Sequence, residues 1–343
     1  MSTKRFELRN GYTLIEILLA VTLGLILMLG VVQMFAMVGN FVTSSQGLME
    51  LDQKVRSAQM VLQNDLSRYT AKMTVPADSN SGYGYFRIEE NAQTPIADPR
   101  LEMFYSNHNK IPGDNDDVLT FTIHDLDSPF IGRNGTTVVN SSDAEVKWFV
   151  NKDTNNVLSL YRRINVLNPT GNPSGTTLGN IKQVSLSDLT FYPGSGGGRG
   201  RGNSASNEVN YRDTDTTTIT NADLILDNIL VFDVKVWDPE AKAYVDINGN
   251  NAVTFKNRGN VFDTGSRFKV NDSNTTTGIV ESGADTNKVI NASTLKSKRE
   301  EQNNPVILMA GVSLQGIQIH VRTFDPTSGI IRDFTVEQEF VTH

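Results

Sequence analysis

The sequence predicts an α+β protein in which one long N-terminal helix precedes a β-rich globular region. Two observations lead to this prediction. An apolar segment near the N-terminus continues, with no proline before Pro76, into an amphipathic pattern of helical period. From Tyr83 onward the chain instead contains short alternating segments bounded by turn residues. Because no helical segments connect these strands, we expect mainly antiparallel sheets.

Length and composition limit the functional classes. The chain has 343 residues, a formal net charge of −7 and no cysteine. The length beyond the apolar segment suits one large or two small domains that need no disulfide. The absence of cysteine excludes disulfides, thiolate nucleophiles and cysteine-ligated metals. The acidic balance argues against general electrostatic binding of nucleic acid, so we expect no nucleic-acid partner.

The apolar segment from residue 17 to about residue 37 is long enough for a membrane span. A helix rises about 1.5 Å per residue, and the hydrocarbon core of a bilayer is about 30 Å thick. The first eleven residues contain three basic residues and one acidic residue. This charge bias predicts a cytoplasmic N-terminus, with the C-terminal region outside the cytoplasm. The run is longer than that of a cleaved secretory signal, and no Ala-x-Ala-like site follows it.

Glu16 is the unusual residue of this region, because a generic signal anchor needs no acidic residue there. An ionisable group in a membrane span costs about 2.5–3.5 kcal/mol at the centre and is a functional hypothesis by default. The sequence GYTLIEILLA at residues 11–20 joins a basic leader, a glycine, an aromatic residue, this glutamate and the apolar run in fixed order. The segment resembles the type IV prepilin signature. The resemblance implies cleavage after Gly11, N-methylation of Tyr12, and a role for Glu16 in filament assembly.

Elementary electrostatics agrees with the implied role of Glu16. Cleavage after Gly11 would leave a charged amine on Tyr12, about one helical turn from the Glu16 carboxylate. Opposite charges attract strongly where the dielectric constant is low, so each would offset the burial of the other. The positive end of a helix also favours a nearby anion. The alternative is an acidic residue at the membrane edge that reaches to water.

The helix is predicted to run from residue 12 to residue 73, after a leader of residues 1–11. Beyond the span, apolar residues recur at gaps of three and four, as on one face of a helix. They are Leu48, Leu51, Val55, Ala58, Leu62, Leu66, Tyr69 and Met73. Charged residues occupy the other positions, so the second half should pack on the globular region. A coiled coil would show a similar stripe.

The globular region is predicted to occupy residues 83–343, outside the cytoplasm. The clearest strand patterns lie at residues 118–124, 146–150, 157–161, 230–236 and 316–322. Asn248 and Gly249 fit the tight turn of a hairpin over residues 244–255. Residues 324–340 predict a closing hairpin. Two insertions, near residues 194–222 and 257–304, are rich in small polar residues and predict loops.

The order of these segments resembles one subgroup, the J-type minor pseudopilins of type II secretion and the related W-type minor pilins. The matching pieces are DVLTFT at 117–122, VKWFV at 146–150, LSLYRR at 158–163, VSLSDLTFYP at 184–193 and IQIHVR at 317–322. The resemblance implies a pilin-like fold, with a long helix packed on the sheet. The chain is longer than a typical J-type subunit because of its two insertions.

No residue pattern predicts catalysis. The sequence contains no Gly-x-Ser-x-Gly, P-loop or dinucleotide motif, so we expect no enzyme and no organic cofactor. The four histidines, at 108, 124, 320 and 343, lack metal-ligand spacing. Carboxylates at residues 114–117 and 213–215 are the candidate oxygen ligands for Ca²⁺, although neither segment has the EF-hand order. Solvated acidic turns are the alternative.

The sequence therefore predicts a structural minor pilin or pseudopilin. It would be held as a single-pass protein in the cytoplasmic membrane, trimmed by a prepilin peptidase, and assembled near the tip of a type II secretion pseudopilus or a type IV pilus. Its partners would be membrane lipid, other pilin-like subunits and the inner-membrane assembly machinery. One alternative is a pilus-borne adhesin or DNA-uptake pilin whose globular region binds a ligand. Another is an enzyme tethered by an uncleaved signal anchor.

Overall fold

One helix followed by seventeen strands makes up the described part of the chain, so the predicted α+β class is confirmed. The computed structural model describes residues 13–74, 83–90, 114–153, 157–169, 177–186, 189, 212–213, 215–265, 268–270, 279–281, 289–290 and 311–340. The chain divides into two units, Met1–Leu51 and Asp52–His343.

Helix α1 spans Leu14–Ser67, a length of 54 residues. It ends earlier than the predicted residue 73, and the backbone that follows forms two isolated β-bridges. Tyr69 forms an antiparallel bridge with Ile123, and Thr74 forms one with Ser313. The second half of the predicted amphipathic pattern therefore ends in extended chain.

In the first unit, every described side chain from residue 13 to residue 43 is exposed. Most of these side chains are apolar, and Leu14 is 78% exposed. An exposed apolar surface of this extent marks a membrane or partner surface. By length and composition, α1 is able to cross a membrane, with a mean hydropathy of 2.6 in its most apolar window.

The larger sheet of the second unit has eight strands in the order β12-β1-β2-β5-β6-β8-β7, and β9 also pairs with β6. Its pairings are antiparallel except for β6 with β8. The strands are β1 Phe86–Glu89, β2 Val118–His124, β5 Asp143–Lys152, β6 Leu158–Leu167, β7 Thr177–Leu178, β8 Ile181–Lys182, β9 Ala222–Leu226 and β12 Val261–Asp263.

A second antiparallel sheet has the order β11-β10-β16-β17. Its strands are β10 Ile229–Asp238, β11 Ala243–Val245, β16 Gly316–Phe324 and β17 Ile331–Glu339. The predicted closing hairpin is present, with Phe324 paired to Ile331. Two smaller antiparallel sheets join β3 Phe130–Asn134 to β4 Thr137–Ser141, and β13 Phe268–Val270, β14 Ile279–Glu281 and β15 Val289–Ile290.

Both faces of the larger sheet are buried at its centre. Leu119, Phe121 and Ile123 on β2 are fully buried, as their alternation predicts. Thr120 and Thr122, on the opposite face, are also buried. That face continues across β5 and β6 as a polar layer. The backbone oxygens of Asp213, Asp215 and Thr218 accept hydrogen bonds from this layer. Alternation alone therefore underestimates how much of this sheet is enclosed.

Two predicted connections differ from the structure. Asn248 has the positive φ of a tight turn, at 63°, but residues 252–255 form no strand, so the hairpin over 244–255 is wrong. Strand β11 instead pairs back to β10. The predicted loop at 257–304 contains four strands, from β12 to β15. Most of the predicted loop at 194–222 lies outside the described residues.

Candidate functional site

The start of α1 is a capping box formed by Thr13 and Glu16. The Thr13 amide donates to Glu16 Oε2 at 2.9 Å, and the Thr13 hydroxyl donates to the same oxygen at 3.0 Å. In return, the Glu16 amide donates to Thr13 Oγ1 at 3.4 Å. Reciprocal bonds of this kind satisfy backbone amides that the first turn of a helix leaves without partners. The predicted processing residues Gly11 and Tyr12 lie outside the described residues.

This geometry gives Glu16 a second role, which the sequence analysis missed although the Thr-x-x-Glu spacing is visible in the sequence. The carboxylate caps the helix start whether or not an amine is nearby. A capping role requires an oxygen acceptor at this position, whereas pairing with an amine requires a negative charge. The two roles therefore respond differently to replacement by glutamine.

The end of α1 is held by a buried ion pair within the second unit. Asp65 is fully buried and accepts hydrogen bonds from Arg162 Nε at 2.7 Å and Arg162 Nη2 at 2.5 Å. Trp148 Nε1 also donates to Asp65 Oδ2 at 3.0 Å. Arg162 and Trp148 are paired across β6 and β5, so one carboxylate fixes the helix to two neighbouring strands. The apolar positions Ala58 and Leu62 are buried beside this contact on the same helix.

Three buried carboxyl groups converge where β1 ends and β2 begins. Glu90 follows the last residue of β1, and Asp114 and Asp117 precede the first residue of β2. Since Glu89 pairs with Val118, continuing the register places residues 90 and 117 beside each other. One ligand oxygen from each of the three residues lies within 4.8 Å of the other two. In the described part of the chain, this is the one group of three or more acidic or histidine residues with metal-ligand geometry.

Strand β10 of the second sheet contributes the other side of this carboxylate group. The Phe232 amide donates to the backbone oxygen of Asp114 at 2.7 Å, and the Val234 amide donates to Asp117 Oδ2 at 2.7 Å. Two further carboxylates, Asp233 and Asp246, flank the group and share the single ammonium of Lys235. The group therefore lies at a junction between the two sheets.

Buried oxygens in this group lack partners. Both carboxylate oxygens of Asp114 have no hydrogen bond, and neither do Glu90 Oε2, Asp117 Oδ1 and Asp233 Oδ1. Asp114 is only 5% exposed, Glu90 7% and Asp117 0%. Buried polar groups are normally paired, so each of these oxygens requires an explanation.

The electrostatics of the group disfavours three negative charges. Burial, followed by repulsion from neighbouring carboxylates, raises the pKa of Glu90 to about 8. Burial, followed by the Asp116 carboxyl, raises the pKa of Asp114 to about 7. Burial also raises the pKa of Asp117 well above its usual range, against the effect of its backbone hydrogen bond. At neutral pH the group therefore requires bound protons or an added cation.

The other predicted acidic segment is different, because its carboxylates have protein partners. Asp213 lies 2.8 Å from Arg163 Nη1 and 3.5 Å from Lys147 Nζ. Asp215 accepts hydrogen bonds from the Thr217 and Thr218 amides of its own turn. These residues belong to the polar layer of the larger sheet. There the ammonium of Lys182 pairs with a fully buried glutamate, Glu145, at 2.5 Å.

Two of the four histidines lie in strands, as predicted. His124 Nδ1 is 2.6 Å from Asp143 Oδ1, and His320 Nε2 is 3.4 Å from Asp333 Oδ2. Each histidine has a single carboxylate partner on the neighbouring strand, which is a cross-strand pair rather than a metal centre. His108 and His343 lie outside the described residues.

Comparison of the chain with protein-family models, with curated proteins and with solved structures finds no match. The fold and the first unit define a protein class by themselves. This is an α+β protein with one N-terminal helix that is long and apolar enough to anchor it in a membrane.

Proposed function

We propose that this protein is a pilin-like subunit that assembles through its N-terminal helix into a filament of the type II secretion or type IV pilus class. The observation that carries the proposal is the continuity of three features. The prepilin-like motif at residues 11–20 leads into an exposed apolar helix, and the same helix ends docked on a β-rich unit. In such a subunit the apolar half rests in lipid before assembly and packs against other subunits afterwards.

In this proposal a prepilin peptidase cleaves after Gly11 on the cytoplasmic side, and Tyr12 becomes the methylated N-terminus. Glu16 then pairs with the new amine, and the pairing sets the register of one subunit against the next. The β-rich unit lies outside the cytoplasm. The J-type and W-type resemblance favours a minor component at or near the filament tip.

The buried contact of Asp65 supports a mechanical role. A machine that extracts the helix from lipid pulls on a segment whose far end is fixed to β5 and β6 by a carboxylate with three hydrogen bonds. Charge-assisted hydrogen bonds of this kind are about twice as strong as neutral ones. The contact would transmit load from the helix to the globular unit.

Two substitutions at one position test the proposal. Glu16→Ala removes both the charge and the cap, whereas Glu16→Gln keeps an oxygen acceptor for the capping box but removes the charge. If assembly requires the negative charge of Glu16, both variants are cleaved normally and neither enters filaments when co-expressed with the assembly machinery. Intact-mass measurement checks cleavage, and recovery of sheared filaments checks assembly.

Thr13→Ser is the matched control, since serine also serves as an N-cap and leaves the carboxylate in place. We expect this variant to assemble as the parent does. Normal assembly of Glu16→Gln would show that Glu16 acts only as a helix cap. A purified protein that retains residues 1–11 would overturn the prepilin assignment and favour an uncleaved anchor.

A further inference from the structure

We propose that Glu90, Asp114 and Asp117 form a calcium site that joins the two sheets of the globular unit. The inference is independent of the filament proposal, because it rests only on residues of the second unit. Three side chains from two strand ends place carboxylate oxygens within 4.8 Å of one another. All three side chains are more than nine-tenths buried.

The oxygens that lack partners point to a ligand rather than to an ordinary acidic turn. Asp114 has two carboxylate oxygens without a hydrogen bond, although its backbone oxygen is bonded to the Phe232 amide. Asp233, on the neighbouring strand β10, adds a fourth buried carboxylate with one oxygen lacking a partner. Its other oxygen pairs with Lys235 Nζ at 2.8 Å. The local cation is thus already engaged by Asp233 and Asp246.

The chemistry and spacing of the donors favour Ca²⁺. Carboxylate oxygens select hard cations, and calcium binds oxygen at about 2.3–2.6 Å, so opposite ligands lie about 5 Å apart. A separation of at most 4.8 Å fits within that sphere. Magnesium usually takes only one or two protein carboxylates and keeps several waters. Three converging carboxylates are therefore closer to a calcium site.

The position of the site indicates what the ion would do. Glu90 ends β1 and Asp117 precedes β2, while Asp117 Oδ2 also accepts from the Val234 amide on β10. An ion held by these residues would tie one end of the larger sheet to a central strand of the second sheet. It would also neutralise charges that otherwise repel one another at the junction. Calcium should therefore act as a stabilising ligand.

Thermal unfolding of the full-length protein in detergent, with about 10 mM CaCl₂ or with EGTA at pH 7.5, tests the proposal. For a dissociation constant of about 0.1–1 mM, as in extracellular calcium modules, ligand linkage predicts a rise in Tm of about 3–10 °C. Equilibrium dialysis with radioactive calcium should give one bound ion per chain. Magnesium chloride at the same concentration should raise Tm by much less.

Asp114→Asn is the informative variant, because it removes one charge and keeps the shape of the side chain. We expect this variant to lose the calcium shift and to match or exceed the parent Tm in EGTA. Asp223→Asn, the same substitution at an exposed position of β9, should keep the full shift. If Asp114→Asn does not fold, Glu90→Gln gives the same test.

Three results would overturn the proposal. The parent protein could show no calcium-dependent Tm shift and no bound calcium. Asp114→Asn or Glu90→Gln could retain the full shift, which would place the ion elsewhere. An equal shift with magnesium would show that the site does not select calcium.

Discussion

Breaking the buried pair between Asp65 and Arg162 from one side should strongly destabilise the globular unit, because it leaves a charge without its partner in a site that disfavours charge. Asp65→Ala removes a fully buried carboxylate that accepts three hydrogen bonds, and it leaves the Arg162 guanidinium, only 15% exposed, without its counter-charge. The Trp148 indole N–H also loses its acceptor. Breaking a buried ion pair from one side costs about 3–5 kcal/mol, and we expect a loss of that size.

The same helix supplies a matched control. Asp52 is 2.8 Å from Arg332 Nε, but their side chains are 42% and 37% exposed. Solvent screens such a pair, so Asp52→Ala should cost less than about 1 kcal/mol. The contrast compares a buried pair with a solvent-exposed one, since both replacements are Asp→Ala and both aspartates pair with an arginine on a strand.

Urea unfolding of the full-length protein in detergent, followed by tryptophan fluorescence, measures both free energies. Trp148, one of the two tryptophans of the chain, lies at the contact itself. A double-mutant cycle with Arg162→Ala then gives the coupling energy between the two residues. A loss for Asp65→Ala within 1 kcal/mol of that for Asp52→Ala would refute the argument, because burial would then contribute nothing to the strength of the pair.

Two further predictions concern the acidic junction, formed by Glu90, Asp114 and Asp117, and the backbone at Gly84. In EDTA, the free energy of unfolding should rise as pH falls from about 8 towards 4.5. Burial and repulsion raise the pKa values of Glu90 and Asp114 in the folded state, so the folded state binds these protons at a higher pH than the unfolded state does. Urea titrations across that range check this, and Asp114→Asn should flatten the profile. Gly84→Ala should cost about 2–4 kcal/mol, because Gly84 has a φ of 74° and an added Cβ would lie 2.0 Å from Thr122 Oγ1. Gly135→Ala, with a φ of 56° but open space around it, should cost only about 1 kcal/mol. If Gly84→Ala cost no more than Gly135→Ala, the steric argument would be contradicted.

Periodicity predicted the helix and the main strands because those signals are local. The alternation of residues 118–124 corresponds to β2 over the same bounds, and the closing hairpin is present. The error at 244–255 has a different origin. Asn248 does adopt a positive φ, but Asp238 draws the following chain back by accepting hydrogen bonds from the Val253 and Thr254 amides. Asp238 lies 15 residues before Val253, and no local pattern reveals such a contact.

The candidate sites were predictable to different degrees for the same reason. Glu16 was conspicuous because a charge stands out in an apolar run, and its cap with Thr13 is encoded three residues apart. Asp65 is one of several charged residues of the predicted helix, and no local pattern indicates its partner Arg162, which lies 97 residues away. The burial of Asp65 depends on which strands are neighbours in the larger sheet, and the sequence pattern does not predict that strand order.

The acidic junction was predictable only in part, because some of its residues are close in sequence and one is not. Asp114 and Asp117 are neighbours in sequence and were candidates from composition alone, whereas Glu90 joins them only because β1 and β2 pair in one register. A single carboxylate at a strand end is ordinary, and solvent accommodates it. Three buried carboxylates whose oxygens lack partners destabilise this part of the fold unless protons or a cation neutralise them. Since protons and calcium compete for the same oxygens, the stabilisation by calcium should weaken below about pH 7, where protons occupy the group first.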